Sequence, residues 1–302
     1  MRVPFLQATF IPVILGSVIA WQITHLFNWG LFLLTLLGAS LIQIATNMLN
    51  DYFDFKSGND LQVKHQNPFA GGGRVLTAGL IKPSTHLLVS SICLVVGCLI
   101  GFYFIYMFGL TLLFWLGLVG AVSSIFYVGP PFKLAYRGVG ELIVGLNFGP
   151  VMVLGAYYVQ AGTLSLVPFL ASIPIGLLIA AVLWINEFPD MDADGAVGKR
   201  TLVLRLGYSK SVGVYMGLIV LSYLLVVLYY LLRLATSVTL TSLATLAVLA
   251  TLPLAIKAIR GLQSNYRDPH AIIPSNAGTV MLHLSFGILS ILGFVVGALT
   301  GL

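Results

Sequence analysis

Long apolar segments alternate with short polar connections along almost the whole of this 302-residue chain. A helix that crosses the hydrocarbon core of a bilayer needs about 20 consecutive apolar residues. Nine segments reach that length, near residues 8–26, 31–50, 84–106, 109–128, 139–159, 166–186, 209–232, 239–259 and 277–300. The pattern predicts an all-α membrane protein, a bundle of nine transmembrane helices that forms a single domain over residues 1–302.

The composition agrees with this prediction and excludes a soluble protein. Hydrophobic residues make up 59% of the chain and charged residues only 8%, with a mean hydropathy of +1.02, whereas soluble domains carry about 25% charged residues. Both cysteines, Cys93 and Cys98, lie within the third apolar segment. We expect them to pack as free residues, because a zinc site needs about four ligands.

The basic residues predict how the bundle is oriented. With the N-terminus in the cytoplasm and alternating segments, all Lys and Arg residues except Arg233, 14 of 15, fall on the cytoplasmic side, as do all nine acidic residues. An excess of Lys and Arg is typical of cytoplasmic loops. The net charge of +6 therefore reflects orientation rather than nucleic-acid binding. The cytoplasmic loops 51–83 and 187–208 are the expected place for an active site.

Seven of the nine carboxylates are concentrated in two stretches, residues 50–60 and 186–194, at the ends of apolar segments. A carboxylate near a bilayer is costly and is usually functional. If the second segment continues as a helix to residue 55, the i, i+4, i+7 spacing of Asn47, Asp51 and Asp54 places them on one broad face. The alternative is a pair of solvated helix ends at the membrane surface.

Carboxylate and amide oxygens are hard ligands that suit Mg²⁺, which commonly bridges protein carboxylates to substrate phosphates. The two stretches therefore predict an Mg²⁺ site for a phosphorylated substrate. The candidate metal ligands are Asn50, Asp51, Asp54, Asp60, Asp190 and Asp194. Four of these, Asn50, Asp54, Asp190 and Asp194, are also candidate catalytic residues.

Basic and amide side chains on the same predicted side are candidates for binding the substrate, because Arg grips phosphate through two hydrogen bonds and Lys acts as a point charge. The candidates are Arg74, Lys133, Arg137, Lys199 and Asn186. For each basic residue, orientation of the chain in the membrane is the alternative role. Residues 71–73 are three glycines that match no known phosphate-cradling fingerprint, so a flexible loop able to close over the substrate is favoured over a phosphate-cradling loop. The ring of Tyr127 is a further catalytic candidate that can stabilise positive charge, unless this stretch only ends a helix.

The two acidic stretches resemble those of the UbiA-type intramembrane prenyltransferases, and the resemblance covers nearly the whole chain. The first motif of that family reads Asn-Asp-x-x-Asp, which residues 50–54 match. The Gly-x-Asp continuation at residues 58–60 is similar to the menaquinone-forming branch, as are residues 127–141 and 190–202. Where that branch usually has Asn-Asn-x-Arg-Asp, residues 186–190 read Asn-Glu-Phe-Pro-Asp and lack the arginine.

The resemblance implies an enzyme that joins a polyprenyl chain to an aromatic ring. Mg²⁺ bound by Asp54 and Asp190, helped by the neighbouring acids, would hold the diphosphate of the polyprenyl diphosphate. The allylic C–O bond breaks, pyrophosphate leaves, and an electron-rich ring carbon attacks the allylic cation. In the menaquinone-forming branch the acceptor is 1,4-dihydroxy-2-naphthoate, whose carboxylate is lost as CO₂. The resemblance implies an integral protein of the cell membrane, embedded in lipid, with its active site facing the cytoplasm.

Two kinds of alternative stay open at this point. Within the same family the acceptor can be 4-hydroxybenzoate, chlorophyllide, haem or an archaeal glyceryl phosphate. From another class, the chain could be a cation-coupled transporter whose acidic residues line an ion path. A transporter predicts charged or discontinuous helices near the middle of the bilayer. The acids of this chain lie at segment ends instead, which favours the enzyme.

Overall fold

The computed structural model describes residues 5–62, 67–69, 74–236 and 243–300. Within these ranges the chain is helical apart from turns and short connections, and it contains no β-strand. The α-helices are α1 (Gln7–Thr24), α2 (Trp29–Ser57), α3 (Asn59–Gln62), α4 (Arg74–Thr77), α5 (Pro83–Phe108), α6 (Leu112–Phe126), α7 (Gly140–Leu146), α8 (Met152–Ala161), α9 (Leu166–Asn186), α10 (Met191–Ala196), α11 (Leu202–Thr236), α12 (Leu252–Asn265) and α13 (Ile273–Thr300). Two 3₁₀ helices, Leu134–Arg137 and Leu243–Thr251, and a π-helical turn, Asn147–Val151, connect some of them.

Eight helical segments of the described chain are long and apolar enough to cross a membrane, which confirms the all-α membrane architecture. They are Gln7–Thr24, Trp29–Ser57, Pro83–Phe108, Gly140–Ala161, Leu166–Asn186, Leu202–Leu234, Ala244–Asn265 and Ile273–Thr300. The segment predicted at 109–128 forms only the 15-residue helix α6. At a rise of about 1.5 Å per residue α6 is roughly 22 Å long, shorter than the ~30 Å hydrocarbon core. It is short because Gly109, with φ of 66°, ends α5 just before it.

Helix α2 extends beyond the apolar segment that predicts it and carries the first acidic stretch. Its first turn is capped by the side-chain oxygen of Asn28, which accepts a hydrogen bond from the Leu31 N–H at 3.0 Å. Its end is fixed by Gly58, whose φ of 79° is left-handed, a conformation that favours glycine after a helix. Asn50 and Asp54 therefore lie one helical turn apart on the same face.

Helix α9 lies at the centre of the bundle and packs against α7, α11 and α13. The π-helical turn crosses it closely, because a Cβ atom on Gly149 would lie only 2.7 Å from the Cα of Gly176. Small residues allow such close helix packing in membranes. This packing holds Asn186, the last residue of α9, at the start of the second acidic stretch.

Helices α5 and α6 expose most of their apolar side chains at the outside of the bundle. Leu99, Phe102 and Trp115 are more than half exposed, and Cys93 and Cys98 on the same side are free, half-buried residues as predicted. An apolar surface of this extent indicates contact with another apolar phase, and lipid supplies it in a membrane protein.

Candidate active site

The two acidic stretches meet around one polar cavity at the ends of α2 and α9. The cavity has a volume of about 180 Å³. Of the predicted site residues, those that line it are Asn50, Asp54, Tyr127, Asn186, Asp190, Asp194 and Lys199. Residues separated by well over a hundred positions in sequence thus form a single site.

Lys199 connects the two acidic stretches. Its ammonium nitrogen lies 3.2 Å from Asp194 Oδ1 and 4.0 Å from Asp54 Oδ2, and its side chain is only 14% exposed. Burial opposes the charge on Lys199, but the carboxylates of Asp54, Asp194 and Asp190 outweigh it and raise the pKa of this lysine well above its usual range. Lys199 is therefore a fixed positive charge between the carboxylates.

Asn59, which sequence reasoning missed, also joins the two stretches. Its Nδ2 donates a hydrogen bond of 3.0 Å to Asp194 Oδ1, and the residue is buried in the cavity wall. The position next to Asp60 was the only signal for it in the sequence, since nothing local shows that Asn59 meets a residue on α10. Asn59 positions the Asp194 carboxylate together with Lys199.

The oxygen atoms around the cavity suit Mg²⁺. Within the described part of the chain, Asn50 Oδ1 and Asn59 Oδ1 are buried acceptors without a hydrogen-bond partner, and they line the cavity together with Asp54, Asp190 and Asp194. Across the described ranges, no group of three or more His, Cys, Asp or Glu side chains forms an all-protein metal cage. Mg²⁺ does not need one, because it keeps several waters and shares its ligands with substrate phosphates. The donor set therefore fits Mg²⁺ bound together with a diphosphate.

A second feature missed from the sequence is a buried pair of carboxyl groups, those of Glu141 and Glu187. Glu141 Oε1 accepts a hydrogen bond from the Leu202 N–H at 2.6 Å, and both glutamates are buried. Burial, followed by the proximity of Glu141, raises the pKa of Glu187 well above its usual range. Glu187 therefore takes up a proton more readily than an exposed glutamate does.

Tyr127 lies where the polar cavity meets a second, apolar cavity of about 200 Å³. The two cavities share Gln43, Thr46, Tyr127, Val144 and Phe148 as lining residues, so they adjoin at these side chains. Gly140 allows the tyrosine to sit there, because a Cβ at that position would lie 3.2 Å from the Tyr127 hydroxyl. Burial of the phenol, together with the nearby Glu187, raises the pKa of Tyr127 and keeps it neutral.

The second cavity runs between α2, α5, α6 and α8 and is lined mostly by apolar and small residues. Gly101 and Gly155 are among them, and a Cβ on either would meet no atom within 4 Å. One polar atom stands out in this lining, Asn147 Oδ1, which is buried without a hydrogen-bond partner because the Asn147 Nδ2 donates to the Ile143 carbonyl. The shape and chemistry suit a long apolar chain whose polar end lies in the first cavity.

The remaining predicted site residues lie elsewhere. Asp51 and Asp60 belong to the first stretch but are not part of the cavity lining. Lys133 and Arg137 are exposed, and the Lys133 ammonium lies 5.2 Å from the centre of the Tyr136 ring. The side chain of Arg74 and the three glycines at 71–73 lie outside the described residues.

Comparison with known proteins assigns this arrangement to a family. The UbiA prenyltransferase family profile matches residues 9–273. The chain is 30% identical over 294 residues to a 1,4-dihydroxy-2-naphthoate octaprenyltransferase of Bacillus subtilis (strain 168), covering 96% of this chain and 89% of the relative. It is 28% identical over 303 residues to a 2-carboxy-1,4-naphthoquinone phytyltransferase of Synechocystis sp. (strain ATCC 27184 / PCC 6803 / Kazusa), covering 97% and 91%.

The fold also has solved counterparts. A UbiA homologue from Archaeoglobus fulgidus, solved bound to DMAPP and Mg²⁺, superposes with a TM-score of 0.59 at 14% identity, covering 96% of each chain. At that identity the likeness concerns the fold alone, which is the helical bundle described above.

Proposed function

Because the chain belongs to the UbiA prenyltransferase family, and is thus a membrane-embedded prenyltransferase, we propose that it transfers a polyprenyl group from an allylic diphosphate to 1,4-dihydroxy-2-naphthoate. The observation that carries this proposal is that the two cavities adjoin. The first, a carboxylate-rich chamber that suits a metal-bound diphosphate, meets the second, an apolar passage that suits an isoprenoid tail, at Tyr127.

Different residues of the carboxylate-rich chamber bind the Mg²⁺ ions and the diphosphate. We assign the Mg²⁺ ligands to Asn50, Asp54, Asp190 and Asp194, and we leave out Asp51 and Asp60 because they do not line the cavity. Bound Mg²⁺ supplies charge stabilisation for the departing pyrophosphate. Lys199 adds a positive charge already held between the carboxylates, and its position favours it over the exposed Lys133 and Arg137 as the diphosphate-binding residue.

The position of Tyr127 gives it a separate role. Its ring lies at the boundary between the chamber and the passage, where the allylic carbon of a bound donor would lie. The negative face of an aromatic ring stabilises a nearby cation, and the apolar walls keep water away from it. Pyrophosphate leaves with the electrons of the C–O bond, and a carbon of the acceptor ring forms the new C–C bond while CO₂ is lost.

The relatives support a naphthoate as the acceptor. Both are named for carboxylated naphthalene rings, although one is named for an octaprenyl and the other for a phytyl donor. An electron-rich dihydroxy ring is also a better nucleophile toward an allylic cation than a monohydroxy ring. We therefore favour 1,4-dihydroxy-2-naphthoate over 4-hydroxybenzoate or a glyceryl phosphate, and we leave the length of the prenyl chain open.

We further propose that the single domain crosses the membrane nine times with its N-terminus and active site in the cytoplasm. Helix α5 leads away from the site end, whereas Tyr127, directly after α6, lines the site. Helix α6 must therefore return across the bundle despite its shortness and supplies the ninth crossing. The basic residues support the cytoplasmic assignment.

The topology can be tested by labelling single cysteines in a background lacking Cys93 and Cys98. Ser57, Ser209 and Thr163 are exposed, and the first two lie at the site end. We expect reagent added from the cytoplasmic side to label Ser57→Cys and Ser209→Cys but not Thr163→Cys. Labelling of all three from one side would refute the nine-crossing arrangement.

The acceptor can be tested by direct competition. Purified protein in detergent or lipid is given one prenyl diphosphate, Mg²⁺ and equal amounts of 1,4-dihydroxy-2-naphthoate and 4-hydroxybenzoate. We expect the naphthoate to be prenylated faster. Exclusive turnover of 4-hydroxybenzoate, or of a glyceryl phosphate in a parallel assay, would refute the proposed acceptor while leaving family membership intact.

A further inference from the structure

Three asparagine side chains form a chain of hydrogen bonds beside the polar cavity. Asn276, in α13, is fully buried, and Asn67 and Asn186 are nearly so. Asn276 Nδ2 donates to Asn186 Oδ1 at 2.7 Å and to the Ile185 carbonyl oxygen at 3.2 Å. Asn67 Nδ2 donates to Asn276 Oδ1 at 3.4 Å. Only Asn186 lines the cavity, so the other two act through it.

Backbone groups at both ends fix which way each amide points. A carbonyl oxygen can only accept, so the group of Asn276 that faces Ile185 has to be the NH₂. At the other end, the Phe69 N–H can only donate, and it donates to Asn67 Oδ1 at 2.9 Å. The Asn67 NH₂ is thereby turned toward Asn276 Oδ1. The backbone groups of Ile185 and Phe69 therefore impose the same donor-to-acceptor direction on the three hydrogen-bonded asparagines.

This direction determines what Asn186 presents to a ligand. Its oxygen is occupied by the Asn276 NH₂, and its own Nδ2 has no hydrogen-bond partner anywhere in the part of the chain that the structure describes. An asparagine in solvent can turn either end of its amide toward a ligand. Here, only the donor end is available to the cavity.

We propose that Asn276 is a positioning residue that holds the Asn186 amide with its N–H groups toward the chamber, where they bind an anionic oxygen of the substrate. This inference rests on the proposed function. It also excludes Asn186 as a metal ligand, because amide nitrogen does not bind Mg²⁺. Two substrate groups share the required chemistry, a diphosphate oxygen of the prenyl donor and the carboxylate of the acceptor.

The decisive variant is Asn276→Asp, which keeps the size of the side chain and removes its donors. The Asn186 amide then turns over to donate to the new carboxylate, and its oxygen faces the chamber. We expect affinity for the anionic ligand to fall about ten- to a hundredfold, the range that a hydrogen bond to a charged group supplies. The rate of transfer at saturating substrate should change much less, because Asn276 touches no reacting atom.

Two measurements identify which anionic group is bound. The first is the affinity for a farnesyl thiolodiphosphate, which binds but does not transfer, in the presence of Mg²⁺. The second compares the KM values for two acceptors, the carboxylated 1,4-dihydroxy-2-naphthoate and the related 1,4-dihydroxynaphthalene, which lacks the carboxylate. A loss confined to the thiolodiphosphate assigns Asn186 to the donor, and a loss confined to the carboxylated acceptor assigns it to the acceptor.

A double-mutant cycle separates positioning from a merely structural role. In an Asn186→Ala background, Asn276→Asp should cause no further loss of affinity. Asn265→Asp is the matched control, because Asn265 Nδ2 also donates to a backbone carbonyl, that of Gly261, but lies away from the cavity. If Asn276→Asp does not fold, Asn276→Ala replaces it in the same cycle.

Unchanged affinities in Asn276→Asp, or an equal loss in the Asn186→Ala background, would overturn the assignment. A failure of the proposed function would give a different experimental result from a failure of the Asn276 assignment. If the wild-type protein does not prenylate the naphthoate, the thiolodiphosphate measurement still reports on the orientation of Asn186.

Discussion

The ammonium group of Lys199 lies 3.2 Å from Asp194 Oδ1, so a fixed positive charge occupies the space between the two acidic stretches. The same lysine lies 4.0 Å from Asp54 Oδ2. Lys199 therefore neutralises some of the negative charge of the site, and it contacts two of the carboxylates that we propose as Mg²⁺ ligands.

Because Lys199 contacts carboxylates that we propose as Mg²⁺ ligands, we predict that Mg²⁺ can compensate for the loss of the lysine charge. Lys199→Met leaves buried carboxylates without their partner, a loss that costs about 3–5 kcal/mol of stability when a buried ion pair is broken on one side. Mg²⁺ replaces the missing charge, so we expect it to raise the thermal unfolding temperature of the variant more than that of the wild type. Lys133→Met, at an exposed position, is the control. Equal stabilisation of all three proteins by Mg²⁺ would refute a shared role.

We predict that the aromatic ring of Tyr127 contributes more to kcat than its hydroxyl group does. Tyr127→Phe keeps the aromatic face and should retain most of kcat, whereas Tyr127→Leu should lower kcat by about 2- to 30-fold, the equivalent of a cation–π interaction of about 0.5–2 kcal/mol. Tyr136→Leu changes a tyrosine outside the cavity lining and serves as control. A larger loss in Tyr127→Phe than in Tyr127→Leu would show that the hydroxyl carries the role.

The apolar passage should limit the length of the prenyl chain. Gly155 lines the passage, and a Cβ at that position would meet no atom within 4 Å, so Gly155→Leu should fold normally. We expect its KM for octaprenyl diphosphate to rise about tenfold relative to farnesyl diphosphate, in line with overpacking costs of about 1–3 kcal/mol. Gly213 on α11 also has open space around it but lies off the passage. If Gly213→Leu changes the chain-length preference equally, the passage does not hold the tail.

Glu187 predicts how stability depends on pH. Burial and Glu141 raise the pKa of Glu187 in the folded protein, whereas a glutamate in the unfolded chain titrates near pH ~4.3. Between these values the folded state binds the proton that the unfolded state has released, so the free energy of unfolding falls as pH rises until the folded pKa is passed. Glu187→Gln removes this dependence.

The measurement is the thermal unfolding temperature in detergent from about pH 5 to pH 8, the range in which such linkage is commonly followed. We expect Glu187→Gln to gain stability relative to the wild type as pH rises. Asp192→Asn, at an exposed position on α10, should follow the wild type. Parallel curves for wild type and Glu187→Gln would show that the proton is not held at Glu187.

The sequence predicted the parts of the site that depend on local spacing. The i and i+7 positions, Asn47 and Asp54, line the cavity because α2 continues past the apolar segment to Ser57, whereas Asp51 at i+4 does not line it. The apolar lengths likewise predicted the helices. Among the nine predicted segments, and within the described residues, the one at 109–128 alone forms a helix shorter than a membrane span, because α5 ends at Phe108 and α6 begins only at Leu112.

The sequence could not predict contacts between distant positions. Asn59 meets Asp194 across 135 positions, and Asn276 meets Ile185 across 91. Asn276 did carry one usable signal in the sequence. A polar amide within an apolar membrane helix is costly, so its presence there indicates a function. Lys133 and Arg137 are exposed and do not line the cavity, which their positions in the sequence could not reveal. A basic residue in a cytoplasmic loop satisfies the orientation rule whether or not it reaches the substrate.

We propose that the carboxylates around Asp54 and Asp190 hold Mg²⁺ and a prenyl diphosphate for transfer to a naphthoate. The most direct test reconstitutes the protein in lipid vesicles with octaprenyl diphosphate and 1,4-dihydroxy-2-naphthoate, and measures prenylated product and released pyrophosphate together. We predict equal amounts of both with Mg²⁺, and neither with a chelator or in Asp54→Asn or Asp190→Asn, while Asp192→Asn stays active. Turnover at the wild-type rate in chelator, or in Asp54→Asn, would contradict the account.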